Sequence, residues 1–253
     1  MAWIEIRGVQ FYLRILNAEG KDTVVMTHGL FGNHTIFYRC GAKTLADLGY
    51  RVVMYDMRGH GLSGYSDRGY TLAELADDMF DVMDALKIDA AHLLGFSLGA
   101  NIVLKAVLMH PERVKSVVLL EPSGMKQVDL DQVPNDESGI DAFIADYTEA
   151  TGLGILPKNR VDLGQRVLRL AEQHAKECLE RDINFFAVAD LESINKPVLL
   201  LCGKQSPFAD DQKLALQRIP GASMKVRKGN HYLPITQSVW VKNQLPSFFP
   251  KVQ

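Results

Sequence analysis

Gly95-Phe96-Ser97-Leu98-Gly99 follows the apolar run Ala91 to Leu94 and opens a helix-like segment that ends at His110-Pro111. Gly-x-Ser-x-Gly between a strand and a helix is typical of a nucleophile elbow, a sharp turn that lifts the serine hydroxyl clear of its sheet. Such a strained turn leaves no room for side chains two positions either side of the serine. The pentapeptide alone is a weak signal because its residues are common. Its position between a predicted strand and a predicted helix makes Ser97 the candidate nucleophile.

Length and composition favour one large globular α/β domain and exclude several classes of protein. The chain has 253 residues, with 47% hydrophobic and 23% charged residues, as in soluble proteins with a sizeable core. A net charge of −2 gives no electrostatic reason to expect a nucleic-acid partner. We find no apolar run of about 18 residues and no apolar core of a signal peptide, so we expect no membrane partner.

The cysteines and carboxylates give no sign of a metal or a cofactor. Cys40, Cys178 and Cys202 are odd in number and lack metal-ligand spacing, which favours a reduced, cytoplasmic setting. Asp77, Asp78 and Asp81 are predicted to form a solvated helix face. Nothing resembles a phosphate loop or a dinucleotide fingerprint. The sequence therefore predicts no metal and no cofactor.

Strand-like and helix-like segments alternate along most of the chain. A β-hairpin around Gly8 is predicted first, and the later strands and helices follow in turn. The predicted strands cover residues 2–7, 9–16, 23–27, 51–55, 91–94, 114–120, 197–202 and 223–227, and the predicted helices cover residues 35–48, a segment opened by the capping box Thr71-Leu72-Ala73-Glu74, 97–110, about 210–218, and a last segment from about 235. This alternation predicts an α/β fold, a mostly parallel sheet with helices on both faces.

The alternation breaks between residues 122 and 190. This stretch contains no convincing strand and has helical patches at Ile140 to Ala150 and Val161 to Leu179. A helical insertion between two strands is predicted to be a lid over their carboxyl ends, where open α/β sheets bind ligands. We therefore predict a core of residues 1–121 and 191–253 and a helical lid of residues 122–190. Its candidate pocket-lining residues, for each of which core packing is the better prediction, are Phe143, Ile144, Tyr147, Phe185 and Phe186.

A serine nucleophile needs a neighbouring base, and three histidines follow Ser97 in the chain. His110 ends a helix before a proline, and His174 lies in a charged helical stretch of the predicted lid. His231, in Gly229-Asn230-His231-Tyr232, lies on a loop directly after the last predicted strand. That loop belongs to the sheet edge where active sites form. His231 is therefore the candidate base.

The tetrahedral intermediate of such a reaction needs two hydrogen-bond donors for its oxyanion. The N–H of Leu98 directly follows the nucleophile and lies at a helix N-terminus, which favours negative charge. The second donor is expected in the loop after the first buried strand, His28-Gly29-Leu30-Phe31-Gly32, where we select the N–H of Leu30. His28 is expected to hold this loop by hydrogen bonds and not to transfer protons.

Taken together, these motifs resemble the α/β-hydrolase superfamily. The matching stretches are His28-Gly29, Asp56-Met57-Arg58-Gly59-His60-Gly61-Leu62-Ser63, the elbow around Ser97 and Gly229-Asn230-His231. They span nearly the whole chain in the right order. The resemblance implies an α/β-hydrolase fold with a mostly parallel, eight-stranded sheet, helices on both faces and a helical lid. It also implies that Asp56 and Arg58 are structural.

The acid of the triad departs from the pattern of this superfamily. Most members carry it in Gly-x-x-Asp after the strand that corresponds to Leu199–Cys202, but this chain has Gly203-Lys204-Gln205-Ser206. Some members, including certain haloalkane dehalogenases, place the acid after strand 6. Glu121 directly follows the predicted strand 114–120 and is the preferred acid. Asp210 and Asp211 remain alternatives, as does the absence of a carboxylate.

These residues predict a serine hydrolase that cleaves a small or medium carboxylic ester or thioester through an acyl-enzyme on Ser97. The partner would be a small-molecule acyl substrate, and the protein would be a monomer or a homodimer. The same elbow also serves carbon–carbon bond hydrolases, lactonases and acyltransferases, and some relatives are non-catalytic small-molecule receptors.

Overall fold

The structure, a computed structural model, describes residues 2–123 and 186–252. The predicted helical patches of the lid lie outside the described residues, as do Phe143, Ile144, Tyr147, Phe185, His174 and Cys178.

Eight strands form one sheet in the order β1-β2-β4-β3-β5-β6-β7-β8. Strand β2 pairs antiparallel with β1 and β4, and all other neighbours are parallel. The strands are β1 Ala2–Ile6, β2 Val9–Leu16, β3 Asp22–Thr27, β4 Tyr50–Tyr55, β5 Ala91–Phe96, β6 Val114–Leu120, β7 Val198–Gly203 and β8 Ser223–Arg227. The predicted α/β fold with a mostly parallel, eight-stranded sheet is confirmed.

Helices cover both faces of this sheet. Within the described residues they are α1 Ile36–Cys40, α2 Ala42–Asp47, α3 Leu72–Ala85, α4 Leu98–Met109, α5 Val188–Ser193, α6 Ala209–Arg218, α7 Leu233–Thr236 and α8 Ser238–Phe248. Alternate strand residues face opposite layers: Val24 and Met26 pack with α1, α2 and α8, whereas Val25 packs with α3 and α4. The central strands are thus apolar on both faces and read as continuous apolar runs.

The helix predicted over residues 35–48 is two helices. It breaks at Gly41, where φ is +146° and α1 gives way to α2. A Cβ atom at this position would overlap Cδ1 of Leu245 on α8. The break therefore lets the C-terminal helix approach the backbone closely, a tertiary contact that the local pattern does not encode.

Two predictions concern α3, its N-terminal capping box and the exposure of its carboxylates. The capping box is confirmed, since the Thr71 hydroxyl accepts from the Glu74 N–H and the Glu74 carboxylate accepts from the Thr71 N–H. The prediction that Asp78 lies on a solvated face is wrong, because Asp78 is 1% exposed and binds Arg58 through both carboxylate oxygens. Asp77 and Asp81 lie nearer the surface and pair with Arg7.

Residues 186–194 return the chain to the sheet. Phe186, Leu191 and Ile194 are buried in the same apolar cluster as α3 and α4. The described end of the predicted lid is thus packed on the core. Over residues 2–123 and 186–252, no helix is long and apolar enough to cross a membrane.

Candidate active site

Ser97 lies on the sharp turn between β5 and α4. Its backbone has φ 53° and ψ −120°, a strained conformation for a residue with a side chain. The turn is tight on both sides: a Cβ atom at Gly95 would overlap the backbone of Gly99, and one at Gly99 would overlap the carbonyl oxygen of Thr27. The Ser97 N–H donates to the Leu120 carbonyl at 2.9 Å and so ties the turn to β6. The predicted elbow geometry is therefore present.

His231 lies within hydrogen-bond distance of this serine. Its Nε2 is 2.9 Å from the Ser97 Oγ. The ring stacks on Phe96, with centroids 5.4 Å apart, and forms a T-shaped pair with Phe208, with centroids 4.8 Å apart. These two aromatic side chains fix the plane of the imidazole. Because a base must be aimed at the proton that it removes, this packing matters for any proton transfer.

The loop that carries His231 is anchored to the loop after β7. The Gln205 N–H donates to the Gly229 carbonyl at 2.9 Å, and the Gly229 N–H donates to the Gln205 side-chain oxygen at 2.7 Å. A Cβ atom at Gly203 would overlap the carbonyl oxygens of Gly229 and Asn230. Residues 203–205 are the first three positions of the stretch that reads Gly-x-x-Asp in most of the superfamily. Here they hold the loop that carries His231 in place.

Glu121 is fully buried beneath His231. It directly follows β6, has a φ of 51°, and places one carboxylate oxygen, Oε2, 3.6 Å from the His231 Nδ1. This separation is within ion-pair range but exceeds a hydrogen bond. Catalytic hydrogen bonds are often long in ligand-free structures and tighten in the substrate complex. The other oxygen, Oε1, accepts a short hydrogen bond from the Gly203 N–H.

Gln212, on the first turn of α6, is a site residue that the sequence analysis missed. Its Nε2 donates to the Glu121 Oε2 at 3.0 Å and to the Ser206 Oγ at 3.1 Å. Its side chain is 2% exposed. Phe208, which packs on His231, was missed as well. Neither belongs to a motif, since each acquires its position only through the fold of the 203–212 loop.

The alternative acids lie at the start of α6. Asp210 is on the surface, where its carboxylate is 3.3 Å from the Lys213 ammonium. Asp211 is buried in the same first turn. The Ser206 hydroxyl, at the position where most of the superfamily has its acid, accepts from the Phe208 N–H and from Gln212. The structure thus brings Glu121, and not the exposed Asp210, to His231.

The two predicted oxyanion donors flank the serine. Leu98 is the first residue of α4, and the N–H groups of a first helical turn have no intrahelical acceptor. Leu30 lies in a turn closed by the Gly32 N–H and the Gly29 carbonyl at 3.0 Å. A Cβ atom at Gly29 would lie 3.1 Å from the Ser97 Cβ, so this turn passes directly beside the nucleophile.

The turn around Leu30 is held by His28, as the sequence predicted. His28 is fully buried, with its Nε2 accepting from the Met57 N–H at 3.1 Å and its Nδ1 donating to the Gly29 carbonyl at 2.8 Å. The accepted bond at Nε2 assigns the proton to Nδ1. Burial, reinforced by the nearby His60, holds the pKa of His28 well below its usual value. His28 is therefore a neutral structural histidine.

The loop after β4 is structural as well. The Asp56 carboxylate accepts from the N–H groups of His34 and Leu62 at 2.7 and 2.9 Å, and Arg58 binds Asp78. The Asp56 bonds tie the loop after β4 to the loop after β3, and the Arg58 bond ties it to α3.

The described residues offer neither a metal site nor a reactive thiol beside this arrangement. Within residues 2–123 and 186–252, no group of three or more His, Cys, Asp and Glu side chains is placed to hold a metal ion. Burial raises the pKa of the Cys202 thiol and raises that of Cys40 to about 12, so both behave as apolar core residues.

Comparison with known proteins places the chain in a family. Residues 22–177 match the family model described as alpha/beta hydrolase fold. A curated relative from Yersinia enterocolitica, named "Putative carbamate hydrolase RutD", is 30% identical over 240 residues, which cover 88% of this chain and 85% of that protein.

Solved structures share the fold over nearly the whole chain. A hydrolase from Pseudomonas aeruginosa PA01 superposes with a TM-score of 0.79 at 20% identity, covering 98% of both chains. An esterase from Exiguobacterium antarcticum gives a TM-score of 0.75 at 22% identity, covering 97% of this chain and 98% of the esterase. At these identities the likeness concerns the fold alone.

Proposed function

The chain belongs to the α/β-hydrolase fold family, and we propose that it is a serine hydrolase that cleaves a carboxylic ester or thioester through an acyl-enzyme on Ser97. The observation that carries this proposal is the 2.9 Å contact between the Ser97 Oγ and the His231 Nε2 on a strained elbow. A hydrolase on this fold agrees with the relatives named above. The ester or thioester class is our inference from the nucleophile.

The geometry supports a division of labour among three side chains. For the His231 Nε2 to accept the Ser97 proton, its Nδ1 must carry the ring proton. Glu121, 3.6 Å from Nδ1, is the acceptor that favours this tautomer. When Nε2 takes the proton, the imidazole becomes a cation, and the buried carboxylate stabilises it.

The reaction then proceeds in two halves. Ser97 Oγ forms a bond to the carbonyl carbon as its proton moves to His231, and the oxyanion that results lies toward the N–H groups of Leu98 and Leu30. The tetrahedral intermediate collapses, the bond to the leaving alkoxide or thiolate breaks, and His231 returns the proton to the leaving group. Water then repeats the sequence on the acyl-enzyme and releases the acid and Ser97.

The segment between β6 and β7 is proposed to form a lid over this site. It leaves the sheet directly after Glu121, so it begins beside the catalytic groups. At its start the Ser123 N–H donates to the Asn101 side chain on α4 at 3.3 Å, which ties the first residues of this segment to the elbow helix. A lid at this point would select the acyl group.

The test is covalent labelling together with turnover. We expect a fluorophosphonate to add to Ser97, as located by peptide mass spectrometry, and short-chain p-nitrophenyl esters to be hydrolysed. Ser97→Ala should lose both. Ser247 is an exposed serine on α8, and Ser247→Ala should retain both. Labelling without turnover would instead indicate a non-catalytic receptor. Absence of both in the wild-type protein would refute the proposal.

A carbamate substrate is the second candidate, because the Yersinia relative carries the name "Putative carbamate hydrolase RutD". Serine attack on a carbamate uses the same groups, but nitrogen lone-pair donation makes the carbonyl less electrophilic. The two are separated by kcat/KM for p-nitrophenyl acetate against p-nitrophenyl N-methylcarbamate. A higher value for the carbamate would replace the ester proposal.

A further inference from the structure

The buried side chain of Gln212 joins the proposed acid to the serine that stands where most of the superfamily has its acid. We propose that Gln212 is a positioning residue, which holds the Glu121 carboxylate in the orientation that serves His231. This inference rests on the proposed function. It concerns a residue that contacts neither Ser97 nor His231 by any hydrogen bond in the described structure.

Hydrogen-bonding chemistry settles which way the amide points. An ionised carboxylate only accepts hydrogen bonds, so the group 3.0 Å from the Glu121 Oε2 must be the amide nitrogen of Gln212. The second N–H of that nitrogen is directed to the Ser206 Oγ at 3.1 Å. Both donors of the amide are therefore used, and the side chain is fixed at two points.

Glu121 needs such a donor because of its length and burial. A glutamate has one more rotatable bond than an aspartate, and Glu121 has no exposed surface through which water could order its carboxylate. The Gly203 N–H binds only Oε1, and with this bond alone the carboxylate could still rotate about Oε1. Gln212 binds the other oxygen, the one that faces His231. Two donors on different oxygens fix both the position and the plane of the carboxylate.

Ser206 gives the arrangement its reason. With serine at this position, the loop has room and an acceptor for the amide of Gln212. The hydroxyl is itself held by the Phe208 N–H at 3.2 Å. The chain thus uses a neutral polar pair, Ser206 and Gln212, to support an acid that comes from β6.

Gln212→Met tests this role, because methionine has a similar volume and no donor. We expect kcat for a p-nitrophenyl ester to fall at least tenfold, within the 10–100-fold range seen when partners that orient metal ligands are removed. KM should change less than about twofold, since Gln212 is buried and its side chain donates to Glu121 and Ser206. The rate of Ser97 labelling by the fluorophosphonate should fall in parallel. Gln244→Met, which removes an amide donor on α8, is the matched control and should leave kcat unchanged.

A double-mutant cycle separates positioning from general support of the fold. In a Glu121→Ala background, Gln212→Met should lower kcat by less than about twofold, since the carboxylate that it orients is gone. Equal losses in both backgrounds, or an unchanged kcat in the single variant, would overturn the inference. If Gln212→Met does not fold, Gln212→Asn, whose shorter side chain withdraws the amide, takes its place with the same expectations.

Failure of the inference and failure of the proposed function give different results. An active wild-type enzyme whose kcat is insensitive to Gln212 refutes the inference alone. A wild-type protein that neither turns over an ester nor labels at Ser97 refutes the proposed function, and the inference with it.

Discussion

Replacing Glu121 with glutamine should abolish most of the activity without disturbing the fold. The substitution keeps the shape of the side chain but removes its charge. Its amide can keep one acceptor oxygen, for the Gly203 N–H, but its NH₂ group would then face the donor of Gln212 and the Nδ1 of His231. An NH₂ group beside Nδ1 favours the tautomer with the proton on Nε2. In that tautomer His231 cannot accept the proton of Ser97.

The expected loss follows from the distance between the carboxylate and the imidazolium. Two unit charges 3.6 Å apart interact by about 4.6 kcal/mol at an effective dielectric constant of about 20. At about 1.4 kcal/mol per tenfold change in rate, this corresponds to a fall in kcat of roughly 10³-fold. Loss of the correct tautomer alone, when a triad aspartate becomes asparagine, costs about 10⁴-fold. We therefore expect a fall of 10³- to 10⁴-fold.

The assay is steady-state hydrolysis of a short-chain p-nitrophenyl ester, with circular dichroism and thermal unfolding as checks on the fold. Asp210→Asn is the matched control: its carboxylate is exposed and pairs with Lys213, so kcat should stay within twofold of wild type. Glu121→Asp keeps the charge at a shorter reach and should retain more activity than Glu121→Gln. A well-folded Glu121→Gln within tenfold of wild type, or a larger loss in Asp210→Asn or Asp211→Asn, would refute the assignment.

Three further predictions follow from other parts of the site and its framework. Because the pKa of His28 is depressed in the folded protein, this residue takes up a proton in the unfolded chain first as the pH falls. Its contribution should lower the free energy of unfolding by about 1.4 kcal/mol between pH 7.5 and 5.5. In urea unfolding at both pH values, the stability of His28→Gln should therefore depend on pH by that much less than the stability of the wild type. Asp78→Asn removes one partner of a buried ion pair and should lower the free energy of unfolding, measured in urea, by about 3–5 kcal/mol. Asp77→Asn, at a more exposed ion pair, should change it by less than about 0.5 kcal/mol. A mild effect of Asp78→Asn would mean that Arg58 finds another partner. Adding Ser206→Asp to Glu121→Gln should raise kcat at least tenfold above that of Glu121→Gln alone, because the side chain of residue 206 binds the same Gln212 amide as Glu121. An unchanged kcat would show that a carboxylate at position 206 does not reach His231.

The sequence predicted the elements of the core well where one pattern dominates. The apolar runs of the central strands and the capping box at Thr71 are local signals, and the structure has strands and a capped helix there. The helix predicted over residues 35–48 failed at Gly41, because the break accommodates Leu245 from the other end of the chain. The predicted exposure of Asp78 was wrong for a related reason: its partner Arg58 is 20 residues away and pairs with it only in the folded protein.

In the candidate site, too, local sequence patterns identified some residues and tertiary contacts placed the others. Ser97 and its flanking glycines form one continuous stretch, and His231 lies in the loop that follows β8. The sequence by itself therefore determined both residues and the sheet edge that they share. The sequence also identified Glu121 as an acid that could reach that edge, but it left Asp210 and Asp211 open. Only the tertiary structure decided which carboxylate faces His231, and only it placed Gln212 and Phe208 around the pair. The physical reason is distance along the chain: 82 to 91 residues separate Glu121 from Gly203 and Gln212, and hydrogen bonds across such a gap leave no periodic or compositional trace in the sequence.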